Sequence, residues 1–133
     1  MARSTHNSSA TQREGKLRGG VLDVPIVYAL YQAYASFHDY VLRFPKSQRY
    51  SLGQTIQQQL LDAIEAVIIA ASSSDTATKT KYLRVASAKL DLLRLFTRLA
   101  KDCKCLDNKS YLQLESQLHE AGRMLGGWLK SLS

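Results

Sequence analysis

The chain has 133 residues, the length of one domain, and could bury a core without disulfides or bound metals. Its longest apolar run, residues 66–71, is far shorter than the roughly 18 residues that cross a bilayer, and no apolar block near the start is followed by a cleavage site. We therefore expect a cytoplasmic protein with no membrane partner. The formal net charge of +7 indicates an anionic partner, with nucleic acid first and an acidic protein or a membrane surface next, and net charge alone does not choose among them.

The first segment is polar and basic, and the first helix follows it. Residues 1–22 are assigned to a disordered polar and basic tail and residues 23–133 to a helical domain, because the tail has almost nothing to bury. Asp23 is the expected N-cap, Pro25 fits the first turn, and the helix should end before Pro45. Spacings of three and four predict one apolar stripe, made of Ile26, Leu30, Ala33, Phe37, Val41 and Phe44.

A short turn at residues 44–50 leads into a second helix that carries no Lys or Arg. The turn supplies Lys46 and Arg49 as possible phosphate contacts. Ser51 and Gln54 have the spacing of a capping box, and the predicted stripe contains Ile56, Leu60, Ala63, Ile64, Val67 and Ala71. Since this helix has a formal charge of −2, we expect it to face away from a polyanion. Residues 72–75 offer N-caps for the next helix.

The third predicted helix, residues 79–104, concentrates the charge of the chain. Residues 73–105 hold eight cations and three carboxylates, a formal +5 of the total +7. A helical wheel places Val85, Leu92, Leu95, Phe96, Leu99 and Cys103 on the expected packing face, and Arg84, Arg94, Arg98, Lys101 and Lys104 on a cationic face. Tyr82, Leu83 and Leu90 add apolar area on the cationic side, which predicts self-association.

The last predicted helix opens at Ser110, with Gln113 as its capping-box partner. Its stripe is regular and contains Tyr111, Leu114, Leu118, Ala121, Leu125, Trp128 and Leu132. Gly122 and Gly126 lie four apart, a spacing that allows close approach of another backbone, either inside the bundle or between subunits. A fray or bend near Gly126 and Gly127 is the alternative. Four amphipathic helices with short turns predict an all-α, antiparallel up-down-up-down four-helix bundle.

No pattern of catalytic or metal-binding residues stands out. The three histidines are scattered, and Asp62 and Glu65 lack the Glu-x-x-His motif of di-iron bundles. Cys103 and Cys105 are expected to be reduced thiols. We therefore predict a binding module and not an enzyme, with no catalytic residue, metal or cofactor.

Three stretches resemble the accessory variability determinant (Avd) proteins of diversity-generating retroelements. They are the ending Glu-Ala-Gly-Arg-Met-Leu-Gly-Gly-Trp-Leu-Lys at residues 120–130, Leu-Arg-Leu-Phe-Thr-Arg-Leu at residues 93–99, and the Phe-Pro-Lys turn at residues 44–46. The resemblance runs from about residue 25 to residue 132. The proteins encoded within intervening sequences of 23S ribosomal RNA genes resemble the same bundle.

The resemblance implies a basic four-helix bundle that forms a barrel-shaped homopentamer. Such a protein binds the reverse transcriptase of the retroelement and its structured RNA, or DNA, and supports mutagenic copying without being an enzyme. The resemblance marks four residues as nucleic-acid or partner contacts: Arg94 and Arg98 on the basic helix, Lys46 in the turn and Arg123 in the ending. Charge alone adds Lys79, Arg84, Lys101, Lys104, Arg43 and Arg49 as nucleic-acid or partner contacts. Gly122, Gly126 and Trp128 are the expected oligomer or helix contacts.

The alternative is a bundle of the ribosomal intervening-sequence type, or a protein-interaction bundle without a reverse transcriptase partner. A neighbouring reverse transcriptase gene and a pair of near-identical template and variable repeats would distinguish the retroelement from these alternatives.

Overall fold

Four long helices make up most of the computed structural model, which describes residues 20–133. They are α1 (Pro25–Val41), α2 (Gln54–Ser72), α3 (Thr76–Asp102) and α4 (Asn108–Ser131). Short unlabelled elements are a 3-10 turn at Val21–Asp23, a helical turn at Lys46–Gln48 and a π-helical turn at Arg49–Gly53. Residues 20–133 contain no strand, so the predicted all-α class and four-helix bundle are confirmed. Of the predicted tail, residues 1–22, the first 19 residues lie outside the described part of the chain.

The helices pack in a cycle, with α1 and α3 each lying against both α2 and α4. Between α1 and α4, the Tyr40 hydroxyl donates to Gln113 Oε1, and Gln117 Nε2 donates to Ser36 Oγ over 3.0 Å. Between α2 and α3, Lys89 Nζ lies 3.8 Å from Asp62 Oδ2. A continuous apolar core fills the space enclosed by the four helices.

The apolar stripe of α1 is buried as predicted, from Ile26 to Phe44. At its end, the Phe37 and Phe44 rings pack edge to face with centroids 5.5 Å apart. The predicted N-cap is wrong: Asp23 lies in the preceding 3-10 turn, and Val24 takes the N-cap position with an extended backbone. Pro25 begins the helix, because a proline lacks only an N–H that would have no helical partner there.

The start of α2 is set by close packing and not by a capping box. Ser51 Oγ donates to carbonyl oxygens of the preceding turn, and α2 has Gly53 at its N-cap without a side-chain hydrogen bond, so the predicted pairing of Ser51 with Gln54 is wrong. A Cβ on Gly53 would lie 2.6 Å from Val41 Cγ2. The glycine therefore lets α2 begin directly against the end of α1. The predicted α2 stripe is buried except for Ile64, which is half-buried.

The packing face predicted for α3 is wrong. Its buried side chains are Leu83, Ala86, Leu90, Leu93, Thr97 and Ala100, while Val85, Leu92, Leu95, Leu99 and Cys103 are exposed and Phe96 is half-buried. We call Val85, Ala88, Leu92, Leu95 and Leu99 the outer face of α3; all five are exposed. Both sets follow three- and four-residue spacings, so α3 has two apolar faces on opposite sides. Leu83 and Leu90, expected on the surface, belong to the core.

The start of α3 confirms that residues 72–75 supply its N-cap: Asp75 accepts a hydrogen bond from the Thr78 N–H over 2.9 Å. The helix ends at Asp102, so Lys104 lies outside it.

The start of α4 differs from the prediction, because Asp107 is the N-cap and accepts from the Ser110 N–H over 2.7 Å. The predicted stripe of α4 does pack against the core, with Trp128 half-buried. The helix is continuous through Gly126, and a Cβ on Gly122 or Gly126 would meet no atom of residues 20–133 within 4 Å. A tight contact of these glycines inside the bundle is therefore wrong, and a contact between subunits stays a prediction.

Candidate nucleic-acid interface

Two of the four helices carry none of the cations of residues 20–133. Neither α1 nor α2 contains a Lys or Arg. The cations lie instead on α3, on α4 and in the segments that connect the helices. A polyanion would therefore be attracted to the side of the bundle formed by α3 and α4 and to its connecting segments.

Three of the predicted contact residues are engaged with carboxylates. Arg94 Nη2 lies 3.0 Å from Glu115 Oε2, which ties α3 to α4. Arg98 Nε donates to Asp102 Oδ1 over 3.2 Å, and this hydrogen bond raises the pKa of Arg98. Arg123 pairs with Glu120 on α4, and this hydrogen bond holds the pKa of the Glu120 carboxyl below its usual value. The Arg98 and Arg123 pairs are largely exposed and the Arg94 pair is partly exposed, so each is weak and its arginine can exchange a carboxylate for a phosphate.

Lys79 has a structural environment that the sequence did not indicate. Its Nζ donates to the Ala70 carbonyl over 3.0 Å and lies 6.0 Å from the centroid of the Trp128 ring. Burial lowers the pKa of the Lys79 ammonium. Lys79 thus connects the end of α2, the start of α3 and the end of α4, and it is less available to a nucleic acid than an exposed lysine.

Three other predicted contacts converge at one end of the bundle. Arg43, Lys101 and Lys104 line an open cavity of about 490 Å³, together with Cys105, Leu106, Asp107 and Asn108. We call this the end cavity. Residues 43–49 and 101–109 hold six cations and two carboxylates, a formal +4 at this end.

A second, smaller depression of about 280 Å³ lies between α3 and α4. It brings Arg94 near Arg123, two residues that the sequence marked from different stretches, and adds Asp91 and His119. Gly122 also lines it. The mixed charges of this depression make it a less selective anion site than the end cavity.

The remaining predicted contacts are spread over the surface. Arg84 and Lys46 are exposed, and Arg49 Nη2 donates to the Leu42 carbonyl over 2.9 Å. Sequence reasoning left out four cations of the described part: Lys81, Lys89, Lys109 and Lys130. Among these, Lys109 follows Asp107 at the start of α4 and could have been included, because it lies within the same run of basic residues as Lys101 and Lys104.

Nothing in residues 20–133 suggests a metal centre, because no three His, Cys, Asp or Glu side chains come together there. Both cysteines are free, with Cys103 exposed and Cys105 buried. None of the helices within residues 20–133 is long and apolar enough to cross a bilayer.

Within residues 20–133, the fold and the cation distribution define a small four-helix bundle whose cations lie on two helices and in the connecting segments. The model of the bAvd-like family matches residues 26–132, and the chain belongs to this family. The resemblance to Avd proteins is thereby confirmed, and the match covers all four helices except the first residue of α1. A comparison with curated proteins finds no match.

Proposed function

We propose that this chain is a non-catalytic accessory protein of a diversity-generating retroelement. In this role it binds the reverse transcriptase and the structured template RNA in the cytoplasm and supports mutagenic copying. The observation that carries the proposal is the family match, joined to the separation of charge in the fold. Because α1 and α2 have no cations, RNA binds α3, α4 and the connecting segments.

The decisive RNA experiment compares two variants with equal changes in net charge. Arg94→Gln with Arg98→Gln removes two cations of α3, and Gln32→Glu with Ala35→Glu adds two carboxylates to exposed positions of α1. We expect the first variant to bind a structured RNA more weakly and with a smaller salt dependence, and the second to bind almost as wild type. Equal loss in both would show that net charge alone governs binding. Circular dichroism checks that helicity is unchanged, and light scattering checks that the mass is unchanged.

The polymerase partner is tested by reconstitution with the reverse transcriptase encoded beside this gene. Co-purification and stimulation of copying from the template RNA are expected. A genome without such a gene and without template and variable repeats would favour the ribosomal or protein-interaction alternatives.

We further propose that the bundle runs up-down-up-down and assembles as a homopentamer. Contact pairs support alternating helix directions: on α3 and α4, Lys101 lies over the Tyr111 ring near one end, whereas Lys79 lies over Trp128 near the other. The outer face of α3 supports assembly, because it is a coiled-coil-like apolar row with no partner within residues 20–133.

A second copy of the chain is the partner that this row fits best. The row is flanked by four cations, Lys81, Arg84, Lys89 and Arg98, and two carboxylates, Asp91 and Asp102, a formal +2, so two copies of α3 would repel each other. The α1 and α2 side has the complementary character: it carries exposed Tyr28, Tyr31 and Leu61, three carboxylates and no Lys or Arg. Pairing of two different faces is a head-to-tail contact, which closes into a ring when the rotation permits.

A further inference from the structure

Three cations that are far apart in sequence meet at the end cavity. Arg43 follows α1, Lys101 lies in the last turn of α3, and Lys104 follows α3. Within residues 20–133, none of the three has a carboxylate oxygen within 4.0 Å, in contrast to Arg94, Arg98 and Arg123. Their charges are therefore available to an external anion.

Asp107 is the one carboxylate among the lining residues, and it is committed to its own helix. It accepts from the Ser110 N–H over 2.7 Å, and this hydrogen bond holds the pKa of the Asp107 carboxyl below its usual value. The lining thus keeps a formal +2 with three cations and one carboxylate. A single phosphodiester group carries one negative charge, so this excess of positive charge attracts it, and the open shape admits it.

Neighbouring side chains hold two of the cations in place. The Arg43 guanidinium lies 5.6 Å from the centroid of the Tyr40 ring, and its Nη2 donates to Ser110 Oγ over 3.3 Å. The Lys101 ammonium lies 4.8 Å from the centroid of the Tyr111 ring. A guanidinium has five N–H donors, so one hydrogen bond leaves others for a ligand. Because these side chains are already positioned, binding costs less conformational entropy.

Lys104 occupies a backbone conformation that glycine prefers. Its φ is 64°, and it is the only non-glycine residue with a positive φ in the described chain. Lys104 follows the end of α3. The next residue, Cys105, donates its N–H to the Ala100 carbonyl over 2.8 Å, a hydrogen bond found at helix ends that normally have glycine at the position of Lys104. The chain therefore places an ammonium group at the cavity at the expense of backbone stability.

We infer that the end cavity binds one phosphodiester of the RNA, with Arg43 donating two hydrogen bonds to its oxygens and Lys101 and Lys104 compensating its charge. The inference rests on the proposed RNA binding and assigns a specific site to it. Since phosphate contacts carry little base information, this site positions the RNA without selecting its sequence.

The test uses Lys104→Gly, which removes the positive charge and also relieves the backbone strain of a positive φ at a non-glycine residue. We expect this variant of the full chain to melt at the same or a higher temperature, yet to bind a fluorescein-labelled RNA hairpin about fivefold more weakly, with the slope of log affinity against log salt reduced by about 1. Lys130→Gln removes one exposed cation near the end of α4 and serves as the matched control, with little change in either quantity. Lys104→Arg should retain binding.

The outcomes separate this inference from the proposed function. If wild-type protein binds the hairpin and Lys104→Gly binds equally well, the site is wrong while RNA binding stands. If wild-type protein fails to bind the hairpin at 50 mM salt, a concentration that favours phosphate contacts, the proposed function itself fails. Inorganic phosphate alone, titrated at constant ionic strength, should shift the backbone amide signal of Lys104 only weakly. Saturation by micromolar inorganic phosphate would overturn the inference, because the ligand of the end cavity would then be a small anion and not RNA.

Discussion

Leu92 and Leu93 are adjacent on α3, yet Leu93 is 1% exposed in the bundle core while Leu92 is 39% exposed on the opposite side. The two leucines belong to two apolar faces of one helix. A helix with two such faces buries one inside its own bundle and leaves the other for a partner. The inner face of α3, with Leu93, stabilises the folded bundle, and we propose that the outer face, with Leu92, contacts another subunit.

Leu92→Glu combined with Leu95→Glu should abolish self-association without unfolding the bundle. Leu95 is 61% exposed, so the new carboxylates remain hydrated in the isolated bundle but would be buried in a subunit contact. Light scattering after size exclusion measures the mass, and circular dichroism measures the helicity. We expect a helical monomer.

Leu93→Ala is the matched core control. Removing a buried leucine should lower the free energy of unfolding by about 2–5 kcal/mol and leave the outer face intact. If Leu92→Glu with Leu95→Glu kept the wild-type mass, the outer face would not be the subunit contact. A wild-type protein that stays monomeric at every concentration would refute the assembly itself.

The sequence predicted the number of helices, their approximate bounds and three of the four packing stripes. It failed on α3 because spacing alone does not say which of two apolar faces turns inward. Each face carries three leucines, so a count of apolar residues does not distinguish them, and the inner face differs in its small residues Ala86, Thr97 and Ala100. Small side chains permit close approach of neighbouring helices, which a count of apolar side chains misses.

The candidate site was predicted as a set of cations but not as an arrangement. Arg43 and Lys104 are 61 positions apart, and only the packing of α1 against α4 brings them to one cavity. The left-handed backbone of Lys104 was equally hidden, because nothing in the sequence marks the residue after α3 as a glycine-like position. Ion pairing of Arg94 with Glu115 likewise depends on how α3 lies against α4.

Gly53→Ala should destabilise the bundle. Its backbone is helical, so alanine alone would be favourable, but the added Cβ would lie 2.6 Å from Val41 Cγ2, on a buried and stiff side chain. Overpacking of this kind costs about 1–3 kcal/mol, more than the roughly 1 kcal/mol gained in helix propensity. Urea unfolding measures the difference.

Gly127→Ala is the matched control for that substitution. Gly127 is exposed in α4, and an added Cβ would meet no atom within 4 Å. We expect a gain of about 1 kcal/mol from helix propensity. A Gly53→Ala variant as stable as Gly127→Ala would contradict the close approach of α2 to the end of α1.

Acid should destabilise the protein through its helix N-caps. Hydrogen bonds from Thr78 and Ser110 lower the pKa values of the Asp75 and Asp107 carboxyls relative to the unfolded chain. The folded state then binds fewer protons, so the stabilisation is complete above the unfolded pKa and is lost as pH falls through the folded pKa. Chemical unfolding between about pH 5 and about pH 2 measures this loss.

Asparagine at both caps provides the comparison for the acid prediction. Asp75→Asn with Asp107→Asn keeps a side-chain oxygen that accepts from the first turn but does not titrate. Its free energy of unfolding should vary less with pH than that of wild type. An unchanged pH dependence would assign acid sensitivity to other carboxyls, such as Glu120 beside Arg123.

Thr97→Val should stabilise the protein. Thr97 is fully buried on the inner face of α3, and its Oγ1 has no hydrogen-bond partner within residues 20–133. A buried hydroxyl without a partner costs about 1–3 kcal/mol, and valine has nearly the same shape without that hydroxyl. We expect a gain of about 1 kcal/mol and a melting temperature higher by about 4 °C. Thr97→Ser keeps the hydroxyl and loses the methyl group, so it should melt below wild type. A Thr97→Val protein that melts below wild type would mean that the hydroxyl is hydrogen-bonded in solution, through a water molecule or the preceding turn of α3.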